Sequence, residues 1–140
     1  MRLWHIDLIP YLPKSQLVAQ WRELNSIFKN ENKHILINYV YDYSKEYLFK
    51  YTCAVLDEIS KRNIKVKSFL NYNNYFDIPL RAYNARRNFT EHNDQYLLIC
   101  FMNLYEKYIR GQKDFDKETF DRLYDFVNKK FDLKGLGIKK

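Results

Sequence analysis

Three glycines and three prolines are all that a chain of 140 residues supplies to interrupt a helix. That scarcity narrows the fold more than any other feature, because turn-rich all-β folds and disordered chains both draw heavily on these residues. Apolar side chains recur instead at three- and four-residue intervals, the period of a helix with one face in a core. Four segments carry that period. The first runs from about Pro13 to Lys29, with Leu17, Trp21, Leu24 and Phe28 in phase. Pro13 suits a first helical turn, where its missing N–H would have had no partner. The second runs from about Lys45 to Arg62, with Leu48, Thr52, Val55, Leu56 and Ile59 inward. Ser44 is its expected N-cap, with Tyr43 stapled onto Leu48.

The third segment runs from about Asp94 to Arg110, with Leu97, Cys100, Phe101, Leu104 and Tyr108 inward. Asn93 caps it in front and Gly111 stops it behind. The fourth runs from about Lys117 to Phe131, with Asp116 as N-cap and a staple between Phe115 and Phe120. The stretch from Lys65 to Glu91, rich in Asn, Tyr and Arg, shows no period and is longer than an ordinary connection. Residues 132–140 hold two glycines and three lysines and are expected to fray. The fold expected is all-α: one domain over residues 1–140, a bundle of about four helices with an irregular N-terminal arm and a long central loop.

Apolar residues make up 46% of the chain, enough for a single core that buries roughly two-thirds of the surface an unfolded chain exposes. Lys and Arg outnumber Asp and Glu by 24 to 17, a formal charge of +7. Such a balance favours polyanionic partners, nucleic acid first and an acidic membrane surface second, with mere solubility as the plain alternative. Cys53 and Cys100 sit among apolar neighbours and read as buried thiols of a reducing compartment, neither a disulfide framework nor a zinc site. No stretch approaches the ~18 apolar residues of a spanning helix, and no signal peptide is visible. A cytoplasmic protein follows, with no membrane and no obligatory protein partner.

The usual catalytic signatures are missing: no phosphate-binding loop, no dinucleotide-binding glycine pattern, no zinc-ligand spacing, no serine elbow. His5, His34 and His92 are scattered and, taken singly, read as surface or hydrogen-bonded core residues. Arg81, Arg86 and Arg87, interleaved with Tyr83 and Phe89, suit phosphate contact and base stacking, and equally a solvated loop. Arg22-Glu23 reads by itself as a solvated helix face, and Trp4 and Trp21 as packing residues.

The beginning of the chain carries more. Arg2 follows the first residue directly, an apolar run leads to Leu12 and Leu17, and Arg-Glu-Leu stands at 22 to 24, with His34 beyond. This opening resembles the pyrimidine-dimer DNA glycosylases, the phage-type endonuclease V enzymes and their bacterial relatives. The phrases from Met1 to Pro13, His92 to Leu97 and Asn103 to Lys107 are similar to the bacterial branch. The chain departs from the phage enzymes at Ser26, where they carry an arginine, and in lacking their aromatic-rich tail.

The resemblance implies a DNA-repair glycosylase with abasic-site lyase activity, acting on double-stranded DNA with damaged bases or abasic sites. Its nucleophile is a free N-terminal amine, here that of Met1, since Arg2 is too bulky for the methionine to be trimmed. An α-amino group titrates at roughly 7.7–8.0, so a sizeable fraction is neutral and nucleophilic without special burial. Its attack forms an imine, so no metal and no organic cofactor is required. Glu23 matches the family's catalytic carboxylate, and Arg2 and Arg22 match positions that grip the distorted backbone; His34 joins them as a DNA contact. A non-catalytic basic nucleic-acid-binding module on the same fold is the first alternative. A protein-interaction domain and an enzyme of other base damage stand behind it.

Overall fold

The computed structural model describes residues 1–77 and 87–140. Among them are five α-helices and no strand: α1 Lys14–Asn30, α2 Lys45–Lys61, α3 Leu70–Tyr75, α4 Asp94–Ile109 and α5 Lys117–Asn128. Two 3-10 segments, Ile6–Tyr11 and Asn38–Asp42, precede α1 and α2. The all-α expectation holds, and the four periodic segments are α1, α2, α4 and α5. No helix among the described residues is long and apolar enough to cross a membrane.

The caps follow local chemistry where a short polar side chain faces free N–H groups. Asn93 Oδ1 accepts from Tyr96 N–H at 2.9 Å and Asp116 Oδ1 from Thr119 N–H at 2.8 Å, each filling an orphan donor of a first turn. Gly111, at φ +85°, ends α4: its N–H returns to Tyr108 C=O and that of Gln112 to Lys107 C=O. These are the two reversed bonds of a left-handed helix stop, a conformation glycine adopts without strain. Phe115 and Phe120 lie with ring centroids 6.1 Å apart, as a staple requires.

Several expectations are corrected. Ser44 makes no side-chain capping bond. The Tyr43 hydroxyl is drawn outward to Thr90 and Glu91, at 2.7 and 2.6 Å, so its ring lies on Tyr47 and Phe89. The stretch after Lys65 contains a helix, α3, whose Tyr72 and Tyr75 rings, with that of Phe76 just beyond it, pack on Phe28 of α1. Tertiary stacking holds this six-residue turn, which is too short to be stable alone. Cys100 is buried as expected, but Cys53 is only half-buried, and both are free thiols.

The tail does not fray. Leu133 and Ile138 are buried, Tyr124 donates its hydroxyl to Ile138 C=O at 2.9 Å, and Lys140 pairs with Asp125 at 2.9 Å. Two apolar anchors and a buried hydroxyl that needs an acceptor outweigh the freedom of the glycines.

The largest correction concerns the N-terminus. Residues 1–5 are irregular as expected, yet they do not project as an arm, because Leu3, Trp4 and His5 are all buried. The 3-10 segment that follows packs on α2 and α5. Its last carbonyls are held by Arg62, which reaches Leu12 C=O at 2.8 Å and Pro10 C=O at 3.2 Å while paired with Glu58 at 2.7 Å.

Candidate active site

A buried irregular segment must find partners for backbone groups that no helix or ladder satisfies. Here side chains supply them. Tyr96 of α4 donates to Leu3 C=O at 2.6 Å, and Tyr51 of α2 donates to Trp4 C=O at 2.6 Å. Trp4 N–H donates to Gln20 Oε1 at 2.8 Å, and Gln20 Nε2 donates to Arg2 C=O at 3.2 Å. Ile6 N–H donates to His92 Nδ1 and Asp7 N–H to His5 Nδ1, each at 3.1 Å. The first seven residues are thus gripped from three helices and the loop before α4, and Met1 emerges from that grip 37% exposed.

Met1 emerges at the wall of a cleft of about 380 Å³, shared by Arg2, Trp4, Gln20, Glu23, Leu36 and Lys107. The α1 wall repeats at helical spacing: Gln16, Gln20 and Glu23 lie on one stripe, while Leu17, Leu24, Ile27 and Phe28 turn to the core. One face of the helix therefore builds the core and the adjoining one carries polar chemistry.

Glu23 is the carboxylate of this cleft. Burial raises its pKa above the ordinary carboxylate range; the N-terminal ammonium, the Arg2 N–H, Arg22 and His34 pull it back down. The ammonium is the largest of these opposing influences, so amine and carboxylate are electrostatic neighbours. Glu23 Oε2 also accepts from Gln20 Nε2 at 3.3 Å. The Arg2 guanidinium lies 5.7 Å from the Trp4 ring centroid and 6.0 Å from that of Tyr96, within cation–π range.

Behind the N-terminal segment lies an aromatic cluster with two neutral histidines. Burial lowers the pKa of His92 to about 3 and also lowers that of His5. Because His92 Nδ1 accepts from Ile6, the neutral ring carries its proton on Nε2 and offers it to Tyr39 Oη at 2.8 Å, which assigns the tautomer. These histidines brace the segment and do not line the cleft.

The structure brings Met1, Arg2 and Glu23 together on one cleft. Arg22 and His34 are exposed and act on Glu23 through charge. Arg22 also borders a second hollow of about 340 Å³ with Trp21, Lys65 and Lys67. Arg87 is exposed and is not among the residues lining the cleft. Arg81, Arg86 and Tyr83 lie outside the described residues. Phe89, expected to stack on bases, is buried against Tyr39, Tyr43, Tyr47 and His92; its ring is core and not available to a ligand. Among the described residues, no three His, Cys, Asp or Glu side chains gather in a way that could hold a metal ion.

Sequence reasoning missed Gln20, Trp4, Leu36, Asn103 and Lys107 as cleft residues. Gln20 had a signal, since it stands three residues before Glu23 and shares its face. Asn103 and Lys107 of α4 bound a phrase similar to the bacterial branch, but nothing in that phrase tied them to Met1 and Glu23. On the loop after α1, Ile35 is 86% exposed beside Leu36, while Ile37 is buried and Tyr41 donates to Asn32 C=O at 2.6 Å.

A family model described as pyrimidine dimer DNA glycosylase matches residues 1–72. That span contains the N-terminal segment, all of α1 and α2, and every cleft residue named here except Asn103 and Lys107. Searches of curated proteins and of solved structures find no match.

Proposed function

From the premise that the chain belongs to the pyrimidine dimer DNA glycosylase family, we propose that it excises dimerised pyrimidines and cleaves the resulting abasic site through the amine of Met1. The observation that carries this reading is the shared cleft of Met1 and Glu23, in which the terminal ammonium is the strongest influence opposing the raised pKa of the carboxyl. Nucleophile and acid–base group stand as neighbours, the arrangement that covalent catalysis by an amine requires.

Glu23 takes a proton from the ammonium, and the freed lone pair attacks the anomeric carbon, C1′. The N–C1′ bond forms as the glycosidic bond breaks; its electron pair leaves with the base, which takes up a proton. The attached nitrogen gives one proton to the departing base, and its lone pair then opens the C1′–O4′ bond to a protonated imine, O4′ taking the proton held by Glu23 and returning that carboxyl to its ionised form. Loss of the C2′ proton gives an enamine, whose electrons then form a C2′=C3′ double bond as the C3′–O3′ bond breaks, the phosphate leaving with that bond's electron pair and the strand being cut. Glu23 in its ionised form stabilises the cationic sugar and is the group placed to receive the C2′ proton.

Arg2 lines the cleft and Arg22 acts on the carboxylate through charge; both carry guanidinium forks suited to phosphates, and the exposed His34 adds a further donor. The exposed Arg87 adds a further positive charge for DNA; Arg81 and Arg86, proposed as contacts with it, lie outside the described residues. A target inside a duplex must leave its stack, at a cost of a few kcal/mol that is smaller at a lesion. The exposed Ile35, next to Leu36 on the cleft wall, offers an apolar surface to a base in transit.

The test is borohydride trapping of untagged protein on a duplex with an abasic site, beside protein whose α-amine has been acetylated. A covalent adduct lost on acetylation is the expected result, and dimer-containing DNA then follows as substrate. An adduct that survives acetylation assigns the nucleophile to a lysine. No adduct, with salt-sensitive DNA binding retained, replaces the enzyme with a binding module.

A further inference from the structure

Gln20 is a buried amide, 1% exposed, whose four hydrogen-bonding positions are all used. Its Oε1 accepts from Trp4 N–H at 2.8 Å and lies 2.8 Å from the Tyr51 hydroxyl, whose single proton it shares with Trp4 C=O. Its Nε2 donates to Arg2 C=O at 3.2 Å and to Glu23 Oε2 at 3.3 Å. A primary amide has two donors and two acceptor positions, so nothing is left over and the side chain has one satisfied orientation. Rotating it by half a turn would set Nε2 against Trp4 N–H and Oε1 against both Arg2 C=O and the Glu23 carboxylate. Trp4 N–H would lose its acceptor, and two oxygens would face a third.

Such a residue is unusual for what it joins. One end holds the segment that carries Met1, and the other end holds the carboxylate. Tyr51, itself buried and shared between Gln20 Oε1 and Trp4 C=O, closes the network from α2. Leu17, Leu24 and Ile27, the apolar neighbours on α1, are buried and carry no hydrogen-bonding side chain. We propose that Gln20 is a positioning residue: it ties the N-terminal segment and Glu23 to one amide, so that amine and carboxylate keep a single mutual geometry. The proposal rests on the reading of Met1 and Glu23 given above and adds the device that holds them in register.

A donor to an ionised carboxylate favours the charged form. Loss of Gln20 Nε2 therefore has an electrostatic signature that a purely structural residue lacks. The near-isosteric Gln20→Met removes both donors and both acceptors without adding charge. Titrating the Glu23 carboxyl by carbon-detected NMR in the whole protein is expected to show a higher pKa in Q20M than in the wild type. The acidic limb of the trapping rate should move up with it. The rate itself should fall roughly tenfold or more, as expected when a hydrogen bond to a charged group is lost, with affinity for abasic-site DNA unchanged.

Tyr51→Phe is the control, since it weakens the same network without touching the Gln20–Glu23 contact. It should lower stability and leave the Glu23 titration where it was. An unchanged Glu23 titration in folded Q20M overturns the proposal, as does an equal shift in Y51F. If Q20M does not fold, Gln20→Glu keeps the acceptor for Trp4 N–H and sets a second carboxyl against Glu23. Glu23 must then titrate higher, and an unaltered Glu23 in Q20E overturns the proposal. Wild-type protein that traps nothing would sink the proposed reaction, but the NMR titration would still decide whether Gln20 holds Glu23.

Discussion

The hydroxyl of Tyr96 donates to the carbonyl of Leu3 at 2.6 Å, a bond between α4 and the start of the chain that spans 93 positions. It belongs to the set of side-chain bonds that keeps Met1 at the cleft. Tyr96→Phe leaves the carbonyl of buried Leu3 without this donor and should destabilise the fold by about 1–2 kcal/mol. Urea unfolding measures that loss. Because the freed segment carries the proposed nucleophile, trapping on abasic-site DNA should fall by more than the unfolded fraction explains.

Glu23→Gln separates stability from activity. The carboxyl titrates above its unfolded value, so the folded state binds more protons between the two values, and stability falls as pH rises through that window. At neutral pH the ionised carboxylate therefore costs stability. Thermal melting of E23Q should give a higher Tm than the wild type at pH 7, and the two should converge below the ordinary carboxylate range. Trapping activity should drop by two orders of magnitude or more, roughly the contribution of a positioned acid–base group.

Acid should destabilise the protein through its buried histidines. The pKa of His92 is lowered from 6.5 to about 3 and that of His5 is lowered too, both chiefly by burial. Below pH 6.5 the unfolded chain takes up protons that the folded chain refuses. Stability is thus full above that pH and is lost as pH falls toward 3, on the order of a few kcal/mol for His92. His92→Asn, which keeps an acceptor near Ile6 N–H, should flatten the curve of unfolding free energy against pH. A slope unchanged in this variant would assign the acid sensitivity elsewhere.

The tail should matter to stability. Ile138 is 5% exposed and its carbonyl receives the Tyr124 hydroxyl. Ile138→Ala should cost about 2–4 kcal/mol in chemical denaturation, the range for truncating a buried branched side chain. A loss under 0.5 kcal/mol would mean that residues 132–140 are dispensable to the fold.

Charge reversal should sort the arginines. If Arg22 and Arg87 each neutralise a phosphate, Arg22→Glu and Arg87→Glu should each weaken binding to undamaged duplex. Each should also reduce the slope of log affinity against log salt by about 1. A slope that stays the same removes that arginine from the contact surface.

Much of this architecture is legible in the sequence. Four helices, the caps at Asn93 and Asp116 and the stop at Gly111 are encoded within a few residues of themselves, by the 3.6-residue period and by short polar side chains facing free N–H groups. Helix α3 was not legible, because six residues of Asn, Tyr and Leu carry too few turns to show a period. It forms where Phe28 and Phe49 receive its rings. Phe89 fits neither base stacking nor a solvated loop, the two readings its sequence context offered, because an aromatic among arginines looks the same whether its ring faces a nucleotide, solvent or a core.

The sequence by itself determined an all-helical, basic chain and marked Met1, Arg2, Arg22 and Glu23 as one chemical group. Local periods and charge balance require no knowledge of the fold, and the family resemblance lies in the first residues. Only the tertiary structure decided that Met1 and Glu23 share a cleft and that Gln20, Tyr51 and Tyr96 hold the first residues in place. Those bonds cross from 16 to 93 positions of chain. The reason is physical: a buried segment without a ladder must satisfy its backbone through whichever side chains the packed helices bring to it, and packing is a property of the whole chain.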